Sequence, residues 1–115
     1  MKLRPLTNGE RQLLNRLLEE DFPGRNELVG QIDKSLVEQL DQHGCLEFHN
    51  VTGPPSHVKS RIPVEGEFED VDGVTIHILL HVVKNRLKSL EIFKNDSSEV
   101  VSMPEPEKLR LFRPE

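Results

Sequence analysis

The stretch that most constrains the fold is VTIHILLHVVKNRLKSLEIFK, residues 74–94. β-Branched and apolar residues dominate 74–83, the polar pair Lys84-Asn85 interrupts them, and Leu87, Leu90, Ile92 and Phe93 resume the pattern, which predicts a β-hairpin with a two-residue turn. Alternation sets Val74, Ile76, Ile78, Leu80 and Val82 on one apolar face and Thr75, His77, Leu79, His81 and Val83 on the other. A regular ladder counted from that turn pairs Val82 with Leu87, Leu80 with Ser89, Ile78 with Glu91 and Ile76 with Phe93 towards the core. On the other face it pairs His81 with Lys88, Leu79 with Leu90 and His77 with Ile92. Glu91 is the misfit, because a carboxylate turned inward needs a partner or a raised pKa. Either the turn differs by one residue or Glu91 lies at a sheet margin; the sharper alternative is a working carboxylate in a pocket. A lone ribbon is unstable in water, so other elements must cover one side.

Those elements are legible upstream. A strand over 58–69 alternates Val64, Gly66 and Phe68 with Glu65, Glu67 and Glu69, and Pro63 restricts it to an edge or a bulge. Val71-Asp72-Gly73 closes a turn with Gly73 left-handed, pairing Phe68 with Ile76, Gly66 with Ile78 and Glu67 with His77. Phe68, Ile76 and Phe93 should then meet in the core. A further hairpin joins 36–40 to 45–49 through Asp41-Gln42-His43-Gly44, with Leu46 and Phe48 inward. Ahead of it, Thr7-Asn8-Gly9-Glu10 fits a capping box, and Leu13, Leu14, Leu17 and Leu18 give the helix that follows, to about residue 20, one apolar stripe. Asp21-Phe22-Pro23-Gly24 stops that helix. A second helix over 25–32 buries Leu28, Val29 and Ile32. Past the ribbon the pattern gives a short strand over 99–103 and a final helical turn from which Leu109 and Phe112 dock. The fold expected is one α+β domain over residues 1–115: two N-terminal helices on an antiparallel sheet of five or six strands, a hairpin followed by a meander, with a short C-terminal helix.

Fifteen Lys and Arg against twenty Asp and Glu give the 115-residue chain a net charge of −5, which argues against a binder of nucleic acid, whose affinity comes from neutralising phosphates. Cys45 is the one cysteine, so no intrachain disulfide forms, a reducing compartment is expected, and the thiol reads as structural. No run approaches the roughly 20 apolar residues of a membrane span, and the start lacks the apolar core of a secretion signal. A cytoplasmic protein without membrane attachment is expected.

Three features bear on chemistry. His77-x-x-x-His81 would share a metal on a helix, but on a strand the two lie about 13 Å apart, so no metal and no cofactor are expected. Glu67 opposite His77 is half of a general-base pair, and His77, His81 and Glu91 are the residues a pocket would gather; no nucleophile motif completes them. Glu65, Glu67 and Glu69, continued by Asp70 and Asp72, form an outward acidic ladder. It reads either as a charged edge that resists sheet-to-sheet pairing or as a docking surface for a basic protein.

The order RPLTNGE at the first helix, then FPGR, then VEGEFEDVDGVTIHILLHVV and RLKSLEIFKND, resembles a family of small bacterial proteins of unknown function, most specifically over 64–96. The resemblance implies a fold and a bacterial setting but no site residues. Size, acidity and fold class also look like those of bacterial immunity proteins. The leading expectation is therefore a non-enzymatic protein-binding domain, immunity- or antitoxin-like, docking a basic partner through the acidic strand face. The alternatives are a small hydrolase or isomerase with His77 as general base, and a homodimer joined through Leu79, Leu90 and Ile92.

Overall fold

The computed structural model describes residues 2–102 and 105–114. A two-residue strand, β1 (Arg4–Pro5), leads into helix α1 (Asn8–Leu17). The capping box is formed: Thr7 Oγ1 accepts from the Glu10 amide at 3.1 Å, and Glu10 Oε1 accepts from the Thr7 amide at 2.9 Å. Leu13, Leu14, Leu17 and Leu18 are all buried, although the helix ends at Leu17 rather than near residue 20. Gly24 then reverses the chain at φ 93°, and a Cβ there would collide with Ser56 Oγ. Helix α2 (Arg25–Ile32) follows. It buries Leu28 and Ile32 as expected, but Val29 is exposed and Gln31 takes its place inside.

Five further strands are β2 (Leu36–Gln39), β3 (Leu46–His49), β4 (Val64–Glu69), β5 (Thr75–Val83) and β6 (Arg86–Lys94). After a 3₁₀ turn at Pro106–Lys108 comes β7 (Arg110–Phe112). All are antiparallel in one sheet of order β1-β2-β3-β6-β5-β4-β7. The hairpin and the meander stand as read, and β6 joins them by pairing with β3. The strand count rises to seven because two very short segments zip onto the two edges; segments of two and three residues carry no periodicity of their own. Of the expected strand over 99–103, residues 99–102 are not extended into the sheet and Met103 lies outside the described residues. The C-terminal helix shrinks to the 3₁₀ turn; Leu109 docks in the core, whereas Phe112 sits on the edge strand. The strand expected over 58–69 is ordered as sheet only from Val64, past Pro63, although Arg61 O still accepts from the Val82 amide at 2.7 Å.

The central hairpin turns through Lys84 and Asn85, both left-handed at φ 52° and 66°, as a type I′ turn requires. Val83 pairs with Arg86 and Val82 with Leu87 as predicted, and Glu67 with His77, Phe68 with Ile76 and Gly66 with Ile78 also hold. Between them the ladder slips by one: His81 faces Ser89, so Lys88 is the extra residue of a β-bulge, and Leu80 faces Leu90, Ile78 faces Ile92 and Ile76 faces Lys94. The slip corrects every expected pair beyond Leu87. Leu90 and Ile92 go into the core and Glu91 comes out. Burying two large apolar side chains contributes roughly 1.5–3 kcal/mol each, whereas the regular register would bury a carboxylate instead. The expected dimer patch of Leu79, Leu90 and Ile92 is thereby reduced to Leu79 on the outer face.

The same slip puts Phe93 outside at 39% exposure and Lys94 inside at 1%, so Phe93 does not join Phe68 and Ile76. The Lys94 ammonium is held by Asp70 Oδ2 at 3.0 Å and Asp72 Oδ2 at 2.5 Å. Asp70 is 4% exposed and also accepts from the amides of Val71, Val101 and Ser102 and from the Ser102 hydroxyl. Burial pushes the Asp70 carboxyl up, but those N–H donors and the Lys94 ammonium outweigh it and hold the group well below the carboxylate range. Asp72, mainly through Lys94, is lowered too, and Lys94, mainly through Asp72, is raised.

Candidate functional site

Both helices lie on the side of the even-numbered β5 residues, where their leucines share one core with Ile76, Ile78, Leu80 and Val82. Among the described elements no helix or strand lies over the opposite face. Register arranges that face in rows across the strands. One row runs Arg110, Glu67, His77, Phe93; the next runs Phe112, Glu65, Leu79, Glu91; a third runs His81, Ser89, Glu47, Glu38.

His77 is held from several sides on this surface. Its Nδ1 is 2.9 Å from Glu65 Oε2 and 3.8 Å from Glu67 Oε2, its Nε2 is 2.6 Å from Asn95 Oδ1, and its ring stacks on Phe93 with centroids 5.0 Å apart. Carboxylate and amide oxygens only accept, so both ring nitrogens face acceptors, an arrangement that favours the protonated ring. Burial works against the charge, but the hydrogen bonds to Glu65 and Asn95 and the charges of Glu65 and Glu67 prevail, raising the His77 pKa. The diagonal neighbour Glu65, rather than the directly opposed Glu67, makes the close contact.

His81 differs. Arg61 Nε donates to its Nδ1 at 3.1 Å, and its Nε2 lies 2.9 Å from Glu91 Oε1. At the far side of the face, His49 Nε2 is 2.9 Å from Glu47 Oε1 and 3.9 Å from Glu38 Oε1, while Lys88 Nζ is 3.3 Å from Glu47 Oε2. The hydrogen bond and charge of Lys88 lead in lowering the Glu47 pKa.

Of the acidic ladder, Glu65, Glu67 and Glu69 do face outward, but their strand is not an edge. β7 covers it, and Arg110 reaches Glu67 Oε1 at 3.2 Å and Glu69 Oε2 at 2.5 Å. Arg110 lowers the Glu69 pKa, and Glu69, then Glu67, raise that of Arg110. Asp70 is buried and Asp72 closes over Lys94, so the expected five-carboxylate row is three glutamates on the face and two aspartates in an ion cluster behind a turn. Tertiary pairing explains the difference: a turn carboxylate that finds a buried ammonium leaves the surface.

The residues expected to gather in a pocket do not do so. His81 and Glu91 meet, but His77 stands one row from Glu91 and two from His81. The concave places of the described surface lie elsewhere. One of about 430 Å³ is bordered by Glu10, Leu13, Gln39 and Gln42, and one of about 490 Å³ lies beside the β5–β6 turn, by Phe48, Lys84 and Arg86. His77, His81 and Glu91 line neither. Cys45 packs against the sheet: its Sγ accepts from the Ile92 amide at 3.1 Å, and burial pushes its thiol up to about 11, which disfavours the thiolate.

Glu38, Glu47, His49, Phe93, Asn95 and Arg110 escape a reading of the sequence. The alternation of Glu47 and His49 shows that they share a face, but only the strand order shows that this face is also that of His77 and His81. A family model described as Domain of unknown function (DUF6984) matches residues 3–104. No curated protein and no solved structure shows a significant match.

Proposed function

The chain belongs to the DUF6984 family, whose description assigns no activity, and from the geometry of its sheet we propose a non-enzymatic binding domain that docks a basic partner protein. The observation that supports this reading is the uncovered outer face, on which Glu38, Glu47, Glu65, Glu67, Glu69 and Glu91 stand with Arg110, Lys88 and Arg61 as their basic neighbours. Rows of carboxylates on a flat, ordered surface speed encounter with a basic protein and set its register. The docking centre moves from the β4 row, where Arg110 engages Glu67 and Glu69, towards Glu38, Glu47 and Glu91. A small acidic domain of this kind suits an immunity or antitoxin role in the bacterial cytosol, and that is the specific form of the proposal.

The test is affinity capture from lysate of the native host with the wild-type chain and with a Glu38→Gln, Glu47→Gln, Glu91→Gln variant. Recovery of a basic protein should fall in the variant and fall for the wild type as salt rises, because exposed charges more than a Debye length apart, about 8 Å at physiological ionic strength, are screened. Equal recovery from both chains at low salt would rule this face out as the docking surface.

A further inference from the structure

Among the described residues, two trios on the outer face bring one nitrogen and two carboxylate oxygens within 4.8 Å of one another: Glu65, Glu67 and His77, and Glu38, Glu47 and His49. We propose that the first, Glu65–Glu67–His77, is a binding site for a divalent first-row metal ion such as zinc.

Two donors each about 2.1 Å from one ion can be at most about 4.2 Å apart. His77 Nδ1 already meets that limit against both partners, at 2.9 Å from Glu65 and 3.8 Å from Glu67, so the ion would take the place of the proton that Nδ1 shares with Glu65, releasing it to solvent, as the carboxylates rotate inward. One imidazole and two carboxylates are a donor set that suits zinc or manganese, and three protein ligands leave a position for water.

What separates this trio from an accidental meeting of charges lies outside it. Metal-bound histidines donate their second N–H to a fixed acceptor, which locks the tautomer and aims the free nitrogen, and ligating carboxylates are themselves hydrogen-bonded. Here Asn95 Oδ1 accepts from Nε2–H at 2.6 Å, Phe93 stacks on the ring, and Arg110 donates to the second oxygen of Glu67 at 3.2 Å. In the trio of Glu38, Glu47 and His49, the described contacts include no acceptor for the second nitrogen of His49, so nothing aims its ring. The second trio is therefore the internal control.

The experiment is calorimetric titration of the full, untagged chain with zinc chloride and separately with magnesium chloride at neutral pH. Nitrogen-detected NMR of the imidazoles runs beside it. One zinc per chain is expected, with magnesium much weaker because that ion prefers all-oxygen shells and keeps its waters. The His77 Nδ1 resonance should move, and the His49 resonances should not. Asn95→Ala should weaken zinc roughly 10-fold, and His77→Ala or Glu65→Gln about 100-fold or more, whereas His49→Ala should leave it unchanged. No heat at millimolar zinc, a shift confined to His49, or loss in His49→Ala with retention in His77→Ala would each overturn the proposal. The NMR arm reads the wild-type chain, so its result stands even where a variant fails to fold. No partner protein is present, so the outcome is separate from that of the docking proposal.

Discussion

Gln31 is 1% exposed and uses its amide fully against the opposite layer: Nε2 donates to the carbonyls of Pro54 at 2.8 Å and Asn85 at 2.9 Å, and Oε1 accepts from the Leu87 amide at 2.9 Å. Gln31→Leu keeps the bulk but leaves the Pro54 carbonyl and the Leu87 amide without these partners, each worth about 1–3 kcal/mol, while the Asn85 carbonyl keeps the Ser56 amide at 2.9 Å. Urea denaturation should show a loss of about 2 kcal/mol or more. Asp70 gives a second prediction at this scale. Its pKa is lower folded than unfolded, so its stabilisation is complete above the ordinary carboxylate value of about 4 and fades as pH falls towards the depressed one. Asp70→Asn should therefore lower Tm at neutral pH, and the gap from wild type should narrow in acid; a gap that widened in acid would contradict the sign. Neither residue announces itself in the sequence, where a Gln on a helix and an Asp in a turn both read as solvated. A polar side chain is buried only when distant groups can satisfy it, and those are assembled by the fold.

At the scale of elements, the misfit of Glu91 was the legible trace of the bulge. The polar–apolar pattern of the second strand conflicts with regular counting from a correctly placed turn, and one extra residue at Lys88 removes the conflict. The two registers predict opposite outcomes. With the bulge, Glu91→Ala should stay within about 0.5 kcal/mol of wild type, while Ile92→Asp should abolish cooperative unfolding. In the regular ladder Ile92→Asp would instead fall on the outer face and be tolerated, and circular dichroism melts distinguish the two registers. Gly24 is a second element-scale position. A left-handed conformation costs an ordinary residue roughly 1–2 kcal/mol, and the collision with Ser56 adds to it, so Gly24→Ala should destabilise more than Gly73→Ala. Gly73 shares the positive φ, at 84°, but a Cβ there meets nothing within 4 Å. Equal losses in the two melts would show that the α1–α2 junction yields.

For the whole molecule, β7 decides how the sheet ends. It covers β4, places Leu109 in the core and brings Arg110 to the glutamates, so removing residues 105–115 should bare a β4 edge and part of the core at once. An unpaired edge next to exposed apolar surface is a template for association, and light scattering should show concentration-dependent oligomers that the intact chain does not form. A truncated chain that remains monomeric would mean that the glutamates alone protect the edge. None of the described helices is long and apolar enough to cross a membrane. The sequence by itself determined the two helices, the capping box, the tight turns and the meander, because periodicity, caps and turn residues act within a few positions of one another. Tertiary structure alone decided the two edge strands, the burial of Lys94 with Asp70, the occupation of Glu67 and Glu69 by Arg110, and the gathering of Glu65, Glu67 and His77 with Asn95. Each of these needs groups from separate strands at hydrogen-bonding distance, and a local pattern does not encode which strands become neighbours.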